Sequence, residues 1–133
     1  MRYLLDTHVC LWAIGEKDKL SPTVRRILTE DSSAQLFVSQ ISFFEIAIKL
    51  KTGKLVELNA PLSVFIESVY DSGAGVLPLK DEHLQVYSQM VFNDQHRDPF
   101  DRYLISTAIS ENMAIITKDK MFDFYSDKLN IVW

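Results

Sequence analysis

The chain has 133 residues, 47% of them hydrophobic and 11% aromatic, with 14 Lys+Arg against 18 Asp+Glu and hence a formal charge of −4. That size and apolar fraction match one globular domain over residues 1–133 and exclude a disordered chain, which is too poor in apolar side chains to bury a core. The acidic balance excludes long-range basic attraction to nucleic acid, so a phosphate partner has to be met by local charge or by bound cations. The lone Cys10 closes no internal disulfide and makes no zinc site by itself, which favours a reducing compartment, the cytoplasm by default. Asp6 and His8 interrupt the opening apolar run before it can serve as a signal-peptide core, and no membrane anchor is expected. Glu45 and Lys49 break the most apolar stretch well short of the roughly 18–20 residues that cross a bilayer.

Short runs of branched and aromatic residues alternate with longer amphipathic stretches, the pattern of βα units feeding a parallel sheet in an α/β fold. A first strand is predicted from Arg2 to Leu5, followed by a helix near Val9 to Ile14. Ser21-Pro22 reads as an N-cap and first helical residue. A strand from Leu36 to Ser39 then leads into a helix from about Ile41 to Lys51, with Gly53 as its stop. A helix from Leu62 to Ser72, a strand from Gly75 to Leu79 and a helix from Asp81 to Met90 follow. Asp98-Pro99 opens another helix, and strands from Ala114 to Thr117 and from Asn130 to Val132 close the set. With no repeat, low-complexity tract or linker, the chain gives no reason for a domain boundary.

Crossover helices in such a fold run back against the strands, so helix N-termini and strand C-termini meet at one edge, where ligands of open α/β sheets bind. Asp6 ends the first strand and Asp119 follows the strand Ala114 to Thr117. Glu45 falls early in its helix and Asp101 in the first turn after Pro99, which brings four acids from four segments to one edge. Carboxylates gathered with no lysine at their centre are costly unless a cation neutralises them, and an oxygen-only ligand set points to Mg²⁺ or Mn²⁺ rather than zinc. Each acid also has a plain structural reading. Ser42 with Glu45 spells a capping box, Asp98 is an N-cap, Asp101 complements its helix dipole and Asp119 is a turn acid. Asp6, with Thr7 beside it to orient its carboxylate, resists such a reading best.

The ordered set Leu4-Leu5-Asp6-Thr7, Glu45 within Ser39 to Lys51, His96-Arg97-Asp98-Pro99-Phe100-Asp101-Arg102, and Ile116-Thr117-Lys118-Asp119 resembles a PIN-domain ribonuclease over the whole chain. More narrowly it resembles the VapC-type toxins of bacterial toxin-antitoxin systems, the His-Arg-Asp-Pro-Phe-Asp-Arg stretch being the most specific element. The resemblance implies a three-layer α/β/α fold with a central parallel sheet of about five strands. It also implies a Mg²⁺- or Mn²⁺-dependent endoribonuclease that leaves a 5′-phosphate and a 3′-hydroxyl, a homodimer, and an antitoxin partner whose tail covers the site. Asp6, Glu45, Asp101 and Asp119 take the places of the catalytic, metal-binding acids, and Thr117 that of the hydroxyl beside the last acid. Asp98 matches an acid of the subgroup, whereas Asp123 and Asp127 rank as surface acids.

Arg97, Arg102, Lys118 and Lys120 fall in segments assigned to the active edge, and with Thr117 they are the candidate substrate contacts. His96 is expected to hold its loop, His8 and Cys10 to be structural, and His83 to sit on a helix surface without a partner. From Ile41 to Leu50 large apolar side chains surround the helix on nearly all sides, more than one buried stripe requires, which suggests either a partner surface shared with Leu11 and Trp12 or burial on two sides within the domain. Two other classes compete with the nuclease toxin: a non-catalytic RNA-binding or regulatory module of the same fold, and a structure-specific DNA nuclease using the same acids. A haloacid dehalogenase-like phosphatase needs a second Asp where His8 stands, and a receiver needs an N-terminal acidic pair, so neither pattern fits.

Overall fold

The computed structural model describes residues 1–55 and 58–133. Its strands are β1 (Arg2–Leu5), β2 (Gln35–Ser39), β3 (Gly75–Leu77), β4 (Ala114–Ile116) and β5 (Ile131–Val132). They form one sheet in the order β3-β2-β1-β4-β5, and every pairing is parallel. Its α-helices are α1 (Thr7–Gly15), α2 (Pro22–Thr29), α3 (Gln40–Lys51), α4 (Leu62–Asp71), α5 (Asp81–Gln89) and α6 (Pro99–Glu111), with 3₁₀ turns at Lys17–Lys19 and Lys120–Tyr125.

Alternation along β1 divides the core into two layers, because successive strand side chains point to opposite faces. Tyr3 and Leu5 pack with Val9, Val24, Ile46 and Phe65 from the helices between β1 and β3. Leu4 faces the other way, against Leu104, Ile105 and Ala108 of α6 and Phe122 of the second 3₁₀ turn. The sheet is therefore covered on both faces, a three-layer α/β/α arrangement, and its strands are continuously apolar for that reason.

Several boundaries shift for identifiable reasons. β3 stops at Leu77 rather than Leu79, since Pro78 has no N–H to continue the ladder. α1 begins at Thr7 rather than Val9 because the Asp6 carboxylate caps it, accepting from the Thr7 N–H at 2.7 Å. Ser39, not Ser42, is the N-cap of α3, its hydroxyl accepting from the Ile41 N–H at 3.2 Å. Ser42 and Glu45 thus form no capping box: Ser42 is inside the helix, bonded to the Thr7 hydroxyl at 2.8 Å. Gly53 ends the segment after α3 at a positive φ of 69°, as expected of a stop glycine.

His83 is the clearest departure. It is fully buried between α5 and α6, with Nε2 2.8 Å from Glu111 Oε1 and Nδ1 3.2 Å from the Tyr103 hydroxyl, so it has partners and no surface. Leu11 likewise lies in the core and offers nothing to a partner. On α3, Phe43 and Ile46 are buried whereas Phe44 and Ile48 remain exposed, Phe44 meeting the Phe100 ring edge-on at 6.0 Å.

Candidate active site

The strand order reverses direction at β1: the chain builds outward through β2 and β3, then returns to place β4 on the opposite side. A crevice opens at the C-terminal ends of strands beside such a switch point. The ends of β1 and β4 are tied there by the Asp6 N–H donating to the Ile116 carbonyl at 3.0 Å. A cleft of about 360 Å³ lies at this edge, lined by the carboxyl groups of Asp6, Glu45, Asp98, Asp101 and Asp119, by Lys49 and Lys118, and by His8 and Trp12. A larger groove of about 730 Å³ runs between α2 and the sheet, but its described lining is mainly apolar and Glu30 is its only carboxylate.

Each acid is held by its local backbone. The Asp6 carboxylate, nearly buried, accepts from the Thr7 N–H through Oδ1 and from the Thr117 hydroxyl through Oδ2 at 2.8 Å. Thr117, not Thr7, is therefore the hydroxyl that orients Asp6. Glu45 rises from α3 and is 5% exposed. Its Oε2 pairs with Lys49 Nζ at 2.9 Å, while its Oε1 is buried without a partner. Asp98 caps α6, accepting from the Phe100 and Asp101 N–H groups at 2.8 and 3.3 Å. Asp119 caps the second 3₁₀ turn through the Met121 N–H at 2.9 Å. Asp101 projects from the first turn of α6, with Oδ2 3.0 Å from His96 Nε2.

The electrostatics follow from burial and crowding. Desolvation, reinforced by the negative fields of Asp6, Asp98, Glu45 and Asp119, pushes the Asp101 carboxyl up to about 8. Burial also raises Asp6, against the opposing hydrogen bonds from Thr117 and Thr7. Burial holds His96 below the ordinary imidazole range and outweighs the pull of Asp119 and Asp98. Burial alone depresses the Lys49 ammonium, but its bond to Glu45 and the fields of Glu45, Asp98 and Asp101 leave it raised.

One sequence expectation needs correction. Lys49 stands within the acid cluster, so the carboxylates do have a lysine among them. The Arg102 guanidinium donates to the carbonyls of His96 at 2.7 Å and Asn93 at 3.2 Å and lies over the Phe92 ring, stapling the loop before α6. Arg97 is exposed and turned to the Asp94 carbonyl at 2.7 Å, outside the described cleft lining. Thr117 is buried, its hydroxyl donating to Asp6 and accepting from the Asp119 N–H. Lys118 does line the cleft, and Lys120 does not. His96 holds its loop as expected, packed on Phe122 and Tyr125, yet it also reaches Asp101. In the sequence Lys49 stands out only as a break in an apolar stretch, and the signal for its place at the site is the four-residue spacing from Glu45, which puts the two side chains on one helix face.

These groups suit a hard divalent cation. His96, Asp101 and Asp119 each offer a ligand atom, all within 4.8 Å of one another. The unpartnered Glu45 Oε1 adds a buried oxygen with no donor, the kind of atom a cation satisfies. The buried Cys10 thiol is pushed up to about 12, so it is not an activated nucleophile.

A three-layer parallel fold with a carboxylate-lined crevice at its switch point places the chain among α/β proteins whose site lies beyond the strand ends. The sequence matches the PIN domain family over residues 3–128, and the chain belongs to that family, whose members are generally nucleases. No curated protein matches the chain. Among solved structures, it is similar to a chain of VapBC2 from Rickettsia felis bound to a DNA fragment from its promoter, at 17% identity and a TM-score of 0.67, covering 98% of this chain and 97% of that one. It is also similar to VapBC-1 from nontypeable Haemophilus influenzae, at 20% identity and a TM-score of 0.64, and to FitAcB from Neisseria gonorrhoeae, at 22% and 0.59, each covering 98% of this chain and 96% of the other. Among the described residues, no helix is long and apolar enough to cross a membrane.

Proposed function

We propose that this chain is a metal-dependent endoribonuclease and the toxin member of a toxin-antitoxin pair acting in the cytoplasm. The observation that carries the reading is the convergence of Asp6, Glu45, Asp101 and Asp119, from four distant segments, on one cleft where ionisation of Asp101 is strongly disfavoured and Glu45 Oε1 lacks a donor. That strain has a functional explanation if Mg²⁺ or Mn²⁺ is bound there. Asp6, Glu45, Asp101 and Asp119 would hold the ion, with His96 behind Asp101. A bound divalent ion supplies Lewis-acid stabilisation of charge developing on the phosphoryl and leaving oxygens.

The chain's own residues do the rest. Thr117 and the Thr7 N–H fix the Asp6 carboxylate, and His96 fixes that of Asp101, so both present defined oxygen atoms to the cleft. Lys118, exposed at the cleft, would meet a backbone phosphate. Hydrolysis by water, without a covalent enzyme intermediate, leaves a 5′-phosphate and a 3′-hydroxyl. The structural relatives are VapBC and FitAcB complexes, which supports an antitoxin partner for this chain. Exposed Phe44 and Ile48 on α3 support a homodimer through that helix.

The test is to incubate purified protein with total cellular RNA and with matched single- and double-stranded DNA, in Mn²⁺ or in EDTA. RNA cleavage that requires Mn²⁺ and disappears in both Asp6→Asn and Asp101→Asn is expected. Cleavage of DNA alone would move the assignment to a DNA nuclease. RNA binding without cleavage would move it to a non-catalytic module.

A further inference from the structure

Lys49 occupies a position that an ordinary surface pair does not explain. Glu45 and Lys49 have the helical spacing of a solvated ion pair, yet Glu45 is 5% exposed and the Lys49 side chain only 30%. Lys49 lines the same cleft as Asp6, Asp98, Asp101 and Asp119. Among the described residues, it is the only cleft lysine within 4.0 Å of a cleft carboxylate. The other, Lys118, holds its ammonium 5.9 Å from the centre of the Trp12 ring. Of the two Glu45 oxygens, one is taken by Lys49 and the other is buried without a partner.

We propose that Lys49 is a resident counter-cation for the carboxylate cluster, displaced from Glu45 when a divalent metal binds and thereby freed to contact a substrate phosphate. The proposal rests on the metal-dependent nuclease reading above. Its logic is competition for one set of oxygens. A metal that takes both Glu45 oxygens, or either one closely, places two positive charges beside an ammonium. A dication and a unit charge about 6 Å apart repel by a factor of about ten in binding constant even at the dielectric of water. The lysine stem is long and flexible, so the ammonium can leave Glu45 while its Cα stays fixed in α3. Once displaced it is an unpaired cation at the mouth of an anionic cleft, which is where a phosphodiester backbone has to be held against the net charge of −4.

The experiment compares Mn²⁺ binding to wild type, Lys49→Met and Lys49→Arg by calorimetry with the metal alone, at low ionic strength. Removing the competing charge is expected to tighten Mn²⁺ by about tenfold in Lys49→Met, whereas Lys49→Arg stays within about twofold of wild type. Thermal unfolding in EDTA confirms that each variant is folded. A second arm measures cleavage of a mixed-sequence single-stranded RNA in saturating Mn²⁺, where Lys49→Met is expected to raise KM at least fivefold with a smaller change in kcat, and Lys49→Arg to restore it. Unchanged or weaker Mn²⁺ binding in Lys49→Met overturns the proposal, because a helix-stabilising ion pair alone predicts that result. Tighter Mn²⁺ with an unaltered KM overturns the phosphate contact. Failure of wild type to act on RNA refutes the ribonuclease reading, while the order of Mn²⁺ affinities still decides whether Lys49 competes with metal.

Discussion

Replacing Asp101 with Asn isolates the cost of crowding these carboxylates. In the unfolded chain Asp101 ionises near its usual value, whereas in the fold desolvation and the fields of Asp6, Asp98, Glu45 and Asp119 push it up to about 8. Below pH 4 it is protonated in both states and costs nothing. Between about pH 4 and 8 folding must take up a proton at this site, so the penalty grows with pH and levels off above about 8. At 1.36 kcal/mol for each tenfold bias, the ceiling at pH 7 is roughly 4 kcal/mol. The His96 Nε2 contact at 3.0 Å sustains the carboxylate and recovers part of this, so Asp101→Asn is expected to stabilise metal-free protein by about 1–3 kcal/mol at pH 7, a rise of about 3–10 °C in Tm for a chain of this length. The difference shrinks toward pH 4. Mn²⁺ narrows the difference, since an ion at 100 times its Kd adds about 2.7 kcal/mol to wild type and less to the variant. Differential scanning calorimetry in EDTA from pH 4 to 8, then with Mn²⁺ at pH 7, makes the measurement. A variant less stable than wild type in EDTA, by an amount that does not vary with pH, would show that Asp101 is a structural helix acid and that repulsion does not govern this cleft.

Asp98→Ala is expected to cost about 0.5–2 kcal/mol in urea unfolding because it removes the α6 cap, while Asp98→Ser keeps the cap and most of the activity; equal, complete loss of cleavage in both without loss of stability would make Asp98 a metal or substrate group. Thr117→Val keeps the shape but leaves Asp6 Oδ2 without its donor, and should cost about 1–3 kcal/mol at pH 7 and less at low pH, where a protonated Asp6 no longer needs it. A pH-independent loss in the Thr117→Val urea series would contradict the assignment of that hydroxyl to Asp6.

What the sequence revealed divides along physical lines. β1 and β4 were legible because branched residues between polar stops mark a buried strand, and α6 because Asp98-Pro99 satisfies the helix start in one step. The joint placement of the acids followed from strand and helix direction alone. Lys49 was hidden because α3 is apolar on nearly every side, so periodicity could not fix its rotation about its own axis. Only packing decides that Phe43 and Ile46 turn inward, Phe44 and Ile48 outward, and the Glu45–Lys49 edge toward the cleft. The partners of His83 and Arg102 were hidden for another reason. Their partners, Glu111 and the carbonyls of Asn93 and His96, are supplied by the meeting of α5 with α6 and by the shape of one loop, neither of which a local pattern specifies.

The structural and functional readings of the acids turn out to be compatible, and their combination explains how a charged cleft stays ordered. A cap bond uses one carboxylate oxygen and fixes the torsion of the whole group. Asp119 binds the Met121 N–H through Oδ1, and Asp6 spends both oxygens on short donors, yet both groups still line the cleft. An oxygen has two lone-pair directions, so accepting one hydrogen bond leaves it able to face a cation. Flexible acids would splay apart to relieve repulsion. Acids pinned at the starts of α1, α6 and the second 3₁₀ turn cannot, and their caps draw on backbone N–H groups that helix ends leave unsatisfied in any case. Helix propensity and capping thus hold the carboxylates together against repulsion, and the unfavourable energy that remains, concentrated at Asp101, is what a bound cation would relieve.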